Sequence, residues 1–445
     1  MDNLFFARAT MSLTLGFHII FACIGMVMPF LMAISHFLWL KRGEDVYYRL
    51  TRAWLRGVAI FFTIGAVSGT ALSFELGLLW PEFMKFAGPI IGMPFSWEGT
   101  AFFVEAICLG LFLYGWKKIN KWVHWFAGLM IGVSGVLSGI FVVCANAWMN
   151  APAGFTLVNG QVMSIDPFKA MFNPAWVSQT SHMIIAAFEA TAFGAAGLHA
   201  ILLLKKKNFE IHKKALNIAL TVGAVFALLQ LISGDYSAKD VAKRQPIKLA
   251  AMEGLFESEK GAGLTIGGIP FESSGETKFG IKMPYVLSFL AYGDFHAEVK
   301  GLNSFIKENK PIPPVAVTHI AFQIMVGCGT ILALASLLYI AFRIRYKKKL
   351  YSKSFLKFIA LCTPLGFIAV EAGWVVTEVG RQPWIIYNLL KVKDSVSPVP
   401  GQVFHFSVFL LIYIILLTAA FWLMKRQVKM LHLKEEKINP SGGWK

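Results

Sequence analysis

The chain has 445 residues, of which 56% are hydrophobic and 15% charged, with a mean hydropathy of +0.60. A soluble globule is roughly half apolar and about a quarter charged, so composition excludes one and indicates a polytopic membrane protein. The net charge of +17 does not point to nucleic acid, because Lys and Arg cluster in short loops between apolar runs, where orientation signals sit.

Nine apolar runs reach the ~20 residues that a spanning helix needs. They lie at about 11–40, 55–80, 95–116, 124–149, 177–204, 215–234, 315–342, 355–378 and 402–424. The first has no small-residue cleavage signature and reads as a retained span. Basic residues crowd 41–56 (Lys41, Arg42, Arg49, Arg52, Arg56), 117–121, 205–214, 343–357 and the tail from Lys425, whereas 81–94, 150–176 and 379–401 are poor in them. By the positive-inside rule the basic set is cytoplasmic, the N-terminus lies outside and the C-terminus inside. The expected fold is an all-α polytopic bundle of about nine transmembrane helices. Spans one to six occupy 1–234, an extracytoplasmic loop 235–314, and spans seven to nine with a basic cytoplasmic tail 315–445. Loops as long as 235–314 are usually functional or disordered. No internal repeat stands out, which argues against a secondary transporter. The five cysteines lie inside apolar runs without CxxC or CxxCH, which argues against a disulfide framework, a zinc site or covalently attached haem.

Ionisable groups within these spans are costly, about 2.5–3.5 kcal/mol each at mid-bilayer on insertion scales. His18, Glu75, Glu98, Glu105, His182, Glu189, Glu371 and Glu378 lie in or at the ends of spans. Any one alone fits a polar group satisfied between helices. At about 1.5 Å per residue, His18 lies roughly 12 Å, His182 about 8 Å and Met325 about 14 Å from the outer end of its span. Potential iron ligands thus share one outer layer, and His with Met is a haem-ligand pair. Small residues after His182 (Ala186, Ala187, Gly194, Ala195) and glycines after Met325 leave room for a flat ligand or for close helix packing.

Glu98 and Glu105 are seven apart, as are Glu371 and Glu378, and seven residues return to within about 20° of the same helix face. Such stripes, with Ser138 in the next span, suit a proton relay or helix–helix hydrogen bonding. In the long loop, Lys248 and Glu253 would point about 140° apart on an ideal helix, so they are not a surface i,i+4 pair. The run Gly380-Arg381-Gln382-Pro383-Trp384, just after Glu378, sets a cation beside an anion at a membrane edge.

These residues, with Trp97-Glu98-Gly99, Phe102-Phe103-Val104-Glu105, Ala145-Asn146-Ala147-Trp148-Met149, Gly234-Asp235, Lys248-Leu249-Ala250-Ala251-Met252-Glu253 and Met325-Val326-Gly327, are arranged as in one family. The chain resembles subunit I of cytochrome bd-type quinol oxidases over nearly its whole length. The resemblance implies a membrane quinol:oxygen oxidoreductase with a low-spin haem b held by His182 and Met325. His18 and Glu378 would each ligate one of two high-spin haems, a haem b and a haem d (or a third haem b in its place). Glu98 would stand beside the oxygen-binding haem, with Glu105 and Ser138 supplying cytoplasmic protons. Lys248 and Glu253 would contact quinol. Arg381 and Arg8 would offset haem propionates, and Trp374 would lie between haems. It further implies a subunit II, a small single-span accessory subunit, and a multi-pass protein of a prokaryotic cell membrane that builds proton motive force without pumping. Two departures stand out. Gln323 occupies a position that is arginine in some members, which bears on the low-spin haem's potential, and the long loop is of the shorter kind.

Overall fold

The computed structural model describes residues 3–205 and 209–433. Helices α1 (Asn3–Arg42), α2 (Asp45–Leu79), α3 (Pro81–Tyr114) and α4 (Lys121–Asn150) follow one another through short turns. A hairpin of β1 (Thr156–Val158) and β2 (Gln161–Met163) and the short α5 (Pro167–Met171) lead to α6 (Trp176–Leu204) and α7 (Phe209–Arg244). Then come α8 (Pro246–Glu253), β3 (Glu259–Lys260), β4 (Leu264–Phe271), β5 (Glu276–Met283), α9 (Val286–Tyr292), β6 (Glu298–Val299) and α10 (Leu302–Lys307). The chain returns to long helices with α11 (Val315–Ile344), α12 (Lys353–Cys362) and α13 (Leu365–Val379), makes a small ladder of β7 (Trp384–Ile386) and β8 (Leu390–Lys391), and ends in α14 (Gln402–Leu433). Among the described residues, nine helical stretches are long and apolar enough to cross a membrane, α12 and α13 together making one of them. The all-α bundle expected from the sequence is the fold observed.

Several helices outrun their apolar windows, because hydropathy marks the membrane and not the end of the helix. α7 continues to Arg244, carried past Gly234 by the i,i+4 pairs Asp235–Lys239 and Asp240–Arg244. α3 starts at Pro81, where proline's fixed φ suits a first helical position.

The segments between helices sort to two ends. Ser397 N–H donates to Leu79 O at 2.8 Å, Tyr387 N–H to Met149 O at 2.9 Å, and the Gln245 amide to Asn150 O at 3.0 Å. These contacts gather the loops poor in basic residues at one end with α8. At the other end Lys214 pairs with Glu44 at 2.8 Å and Asn217 donates to Tyr351 Oη at 2.7 Å.

α1 packs against α2, α4, α6 and α14 near the centre. In lipid, helices associate through close packing and polar contacts. The tightest example joins α6 to the interruption between α12 and α13. A Cβ at Gly197 would overlap the Thr363 side chain, and one at Gly366 would overlap the Ala190 backbone. Glycine is required there for the backbones to meet.

Candidate functional site

A cavity of about 950 Å³ opens between α4, α6, α7, α8, β4, α11 and α13, near the upper end of the roughly 300–1,000 Å³ typical of ligand sites. His182 lines it from α6. Its Nδ1 lies 3.1 Å from Ser233 Oγ, and the Gln230 amide approaches its Nε2 at 3.2 Å. Met325 lines it from α11, and its sulfur would lie only 3.1 Å from a Cβ placed on Gly373. The glycine therefore clears space beside the thioether.

Lys248 and Glu253 line the same cavity from α8. Pro246 starts that helix at N1, and Gly254, in the left-handed region at φ 61°, stops it. Gln245, Lys248, Leu249, Met252 and Glu253 form the cavity-facing stripe at helical spacing. The Lys248 ammonium donates to Asn150 Oδ1 at 3.0 Å and to Thr377 O at 3.3 Å. Burial, then the Arg381 guanidinium, push it down to about 7, with Glu378 opposing. Burial pushes the Glu253 carboxyl up to about 8, against the Thr265 main-chain N–H. Glu253 Oε2 has no partner in the protein. A cation and an acid, both able to change protonation near neutrality, thus share one cavity.

A second cavity of about 230 Å³ is lined by Trp374, Glu378 and Arg381, with Arg8 exposed at its edge. Asn146 donates to Glu378 Oε1 and Arg381 Nη2 to Glu378 Oε2, both at 2.6 Å. Arg381 is 2% exposed, yet its Nε and Nη1 lack protein partners. A buried guanidinium with free donors is suited to a ligand's carboxylate. Trp374 and Asn146 line both cavities and so form the wall between them.

The other expected residues line neither cavity. His18 Nδ1 lies 2.9 Å from Ser68 Oγ, and Gly69 abuts its ring. Ser138 donates to Glu98 Oε1 at 3.4 Å, while Glu105 is buried beside Gly135 of α4. Among the described residues no three His, Cys, Asp or Glu side chains converge to cage a metal ion. The isolated His, Met and Glu donors suit a metal already held in a macrocycle.

Sequence reading missed the polar groups that connect these parts. Lys248 donates to Asn150, Asn150 to Asn146 at 3.2 Å, and Asn146 to Glu378, so one hydrogen-bonded chain joins the two cavities. The signal was Asn146 and Asn150 four apart at the end of an apolar helix, and likewise Gln230 and Ser233 in α7. Gln323 commits both ends of its amide to main chain of β4.

The chain matches the family model described as cytochrome bd terminal oxidase subunit I over residues 6–431. It is 32% identical over 441 residues to the cytochrome bd ubiquinol oxidase subunit 1 of Bacillus subtilis (strain 168), covering 96% of this chain and 94% of that one. A second Bacillus subtilis (strain 168) chain, whose name gives menaquinol as donor, is 34% identical over 428 residues, covering 95% and 96%. Among solved structures, the bd oxidase from Geobacillus thermodenitrificans superimposes with a TM-score of 0.91 at 35% identity, covering 96% of this chain and 99% of that one.

Proposed function

The chain belongs to the cytochrome bd terminal oxidase subunit I family, and from that premise we propose how its residues divide the work of quinol oxidation and oxygen reduction. It is subunit I of a terminal quinol oxidase, a polytopic membrane protein that works with a subunit II. The donor set fits the family's haems. His182 and Met325 would hold a low-spin haem b, and His18 and Glu378 one each of two high-spin haems, b and d. The partnerless nitrogens of Arg381, with Arg8, would hold propionates. Bound haem supplies the one-electron relay and the oxygen-reducing iron.

The protein's own part is binding and proton handling. Lys248 would donate a hydrogen bond to one quinol oxygen. Glu253, once ionised, would take a hydroxyl proton and release it at the end where α8 lies, which the charge distribution makes the outer one. Glu105, Ser138 and Glu98 would hold protons drawn from the basic, cytoplasmic end. Uptake on one side and release on the other builds proton motive force without a pump. Exposed aromatics around Glu98, such as Trp97 and Phe103, suit cover by subunit II, and a small accessory subunit completes the reading. The site of action is the cytoplasmic membrane of a prokaryote.

The observation that carries this reading is that Lys248 and Glu253 share one cavity with His182 and Met325. The test is extraction of pigment from the purified complex together with quinol-dependent oxygen uptake. Protein without haem bands, or haem protein that quinol cannot reduce, would refute it. The pH dependence is a second check. Glu253 is protonated below about 8 and its ionised fraction grows as pH rises towards that value. Lys248 loses its charge as pH rises through about 7, so quinol oxidation should climb up to about 7, level off between the two values and fall above about 8. Glu253→Gln should abolish the climb and lower kcat/KM by about 10²–10⁴-fold, and an unchanged profile would remove Glu253 from the proton step.

A further inference from the structure

Two side chains one turn apart on α11 grip the segment outside the membrane. His319 is fully buried, its Nδ1 2.8 Å from Met252 O and its Nε2 3.0 Å from Gly267 O. A neutral imidazole donates to one such carbonyl at a time. Gln323 satisfies both ends of its amide, donating to Thr265 O at 2.9 Å and accepting from Gly267 N–H at 2.9 Å. Gln323 therefore pairs with β4 as a neighbouring strand would.

The grip falls where the hairpin is irregular. β4 and β5 pair Gly267 with Gly280 and then Ile269 with Lys278, so Gly268 and Phe279, which face one another, both drop out of the ladder. Gly267 and Gly268 take φ of 68° and 92°, and Phe279, facing Gly268, takes 63°, so both strands leave the extended region at the same point while the register runs on unshifted. Gly267 N–H donates to Gln323 of α11, and Gly267 O lies within hydrogen-bond distance of His319. From the other strand, Thr277 Oγ1 donates to Gly254 O at 2.7 Å, tying β5 to the end of α8.

These contacts converge on one carboxylate. Glu253 follows Met252, which His319 holds, and lies beside the main chain of Thr265, which Gln323 holds. Leu264, Thr265, Ile266 and Gly267 line the large cavity. The hairpin is thus a wall of that cavity, fixed to a membrane helix by two side chains.

We propose that Gln323, seconded by His319, is a positioning residue of the quinol site, holding the β4–β5 hairpin against α11 and thereby setting the Glu253 carboxylate where it meets the quinol hydroxyl. This rests on the reading of the large cavity as the quinol site. Gln323 acts through the backbone and touches no reacting atom.

The test uses the complete oxidase carrying Gln323→Leu. Hydrogen exchange of peptides covering 264–283 should quicken. Quinol kcat/KM should fall between about tenfold and hundredfold, the scale on which misplacing a catalytic group acts, and the limb assigned to Glu253 should move. The reduced-minus-oxidised spectrum, and oxygen uptake driven by a chemical reductant that bypasses quinol, should stay as in the unaltered oxidase. Faster exchange with an unchanged quinol KM, kcat and pH profile would make the contact merely structural and overturn the proposal, as would unchanged exchange. Should Gln323→Leu cost the haem spectrum, Gln323→Asn, an amide one methylene too short to reach, is judged by the same outcomes. Lys248→Met and Glu253→Gln separate this proposal from its premise. Unimpaired quinol oxidation in both removes quinol from the cavity, whereas loss in both beside an unaltered Gln323→Leu profile removes only the clamp.

Discussion

His182→Ala is expected to erase the low-spin haem band from the reduced-minus-oxidised spectrum and to slow quinol-driven oxygen uptake by more than about a hundredfold. Removing the outer partner of a ligating histidine costs roughly 10–100-fold, so losing the ligand itself should cost more. Ser233 and the Gln230 amide lie within hydrogen-bond distance of the His182 ring. Ser233→Ala should therefore keep the band with a shifted potential. Met325→Leu removes the thioether but keeps an apolar side chain of similar size, so the bundle should fold and the band should again be lost. Quinol oxidation that fails while the band survives would assign the ligands to another pair.

Glu378→Gln should be the most destabilising single change near the small cavity. Arg381 is 2% exposed and Glu378 is its acceptor at 2.6 Å. Stripping the partner from a buried charge costs about 3–5 kcal/mol, because the remaining ion stays desolvated. Thermal unfolding of the solubilised complex, followed by loss of haem absorbance, would report it. Adding Arg381→Met to Glu378→Gln should recover most of that stability, since no unpaired charge remains, but not the high-spin signal. A Glu378→Gln protein as stable as the unaltered one would show that Arg381 relies on other anions.

The spans were legible because they depend on a single quantity, the length of apolar sequence, and all nine helical stretches lie where the runs predicted. Their ends were not. The residues from Asp235 to Arg244 look like loop by hydropathy, yet they are helical because charges four apart support a turn outside the membrane. The hairpin of β4 and β5 was invisible for a different reason. It has positive φ at Gly267, Gly268 and Phe279 and is held by contacts to His319 and Gln323, residues about 50 positions away in the chain. At the site, the resemblance named Lys248, Glu253, His182, Met325 and Glu378, and the structure sets the first four around one cavity and Glu378 on the next. Asn146 was quoted in the Ala145–Met149 motif but given no role, and Asn150 escaped notice, since a polar residue at a helix end usually has no more to do than meet water. Gln323 was singled out for a bearing on haem potential, and the bonds of its amide to the hairpin are a role that only the fold reveals.

Where α6 meets the interruption between α12 and α13, backbone touches side chain and backbone directly, with glycine on each side of the seam. α6 carries His182 and α13 carries Glu378. At the Gly197–Thr363 and Gly366–Ala190 contacts no long side chain intervenes, so no long rotamer can lengthen or shorten them, and close-packed interiors compress little. On the ligation proposed for His182 and Glu378, the seam would act as a gauge block, helping to fix the gap that an electron tunnels between the groups held there. Because tunnelling falls steeply with distance, that part of the rate would then be set by the backbone rather than by side-chain rotamers.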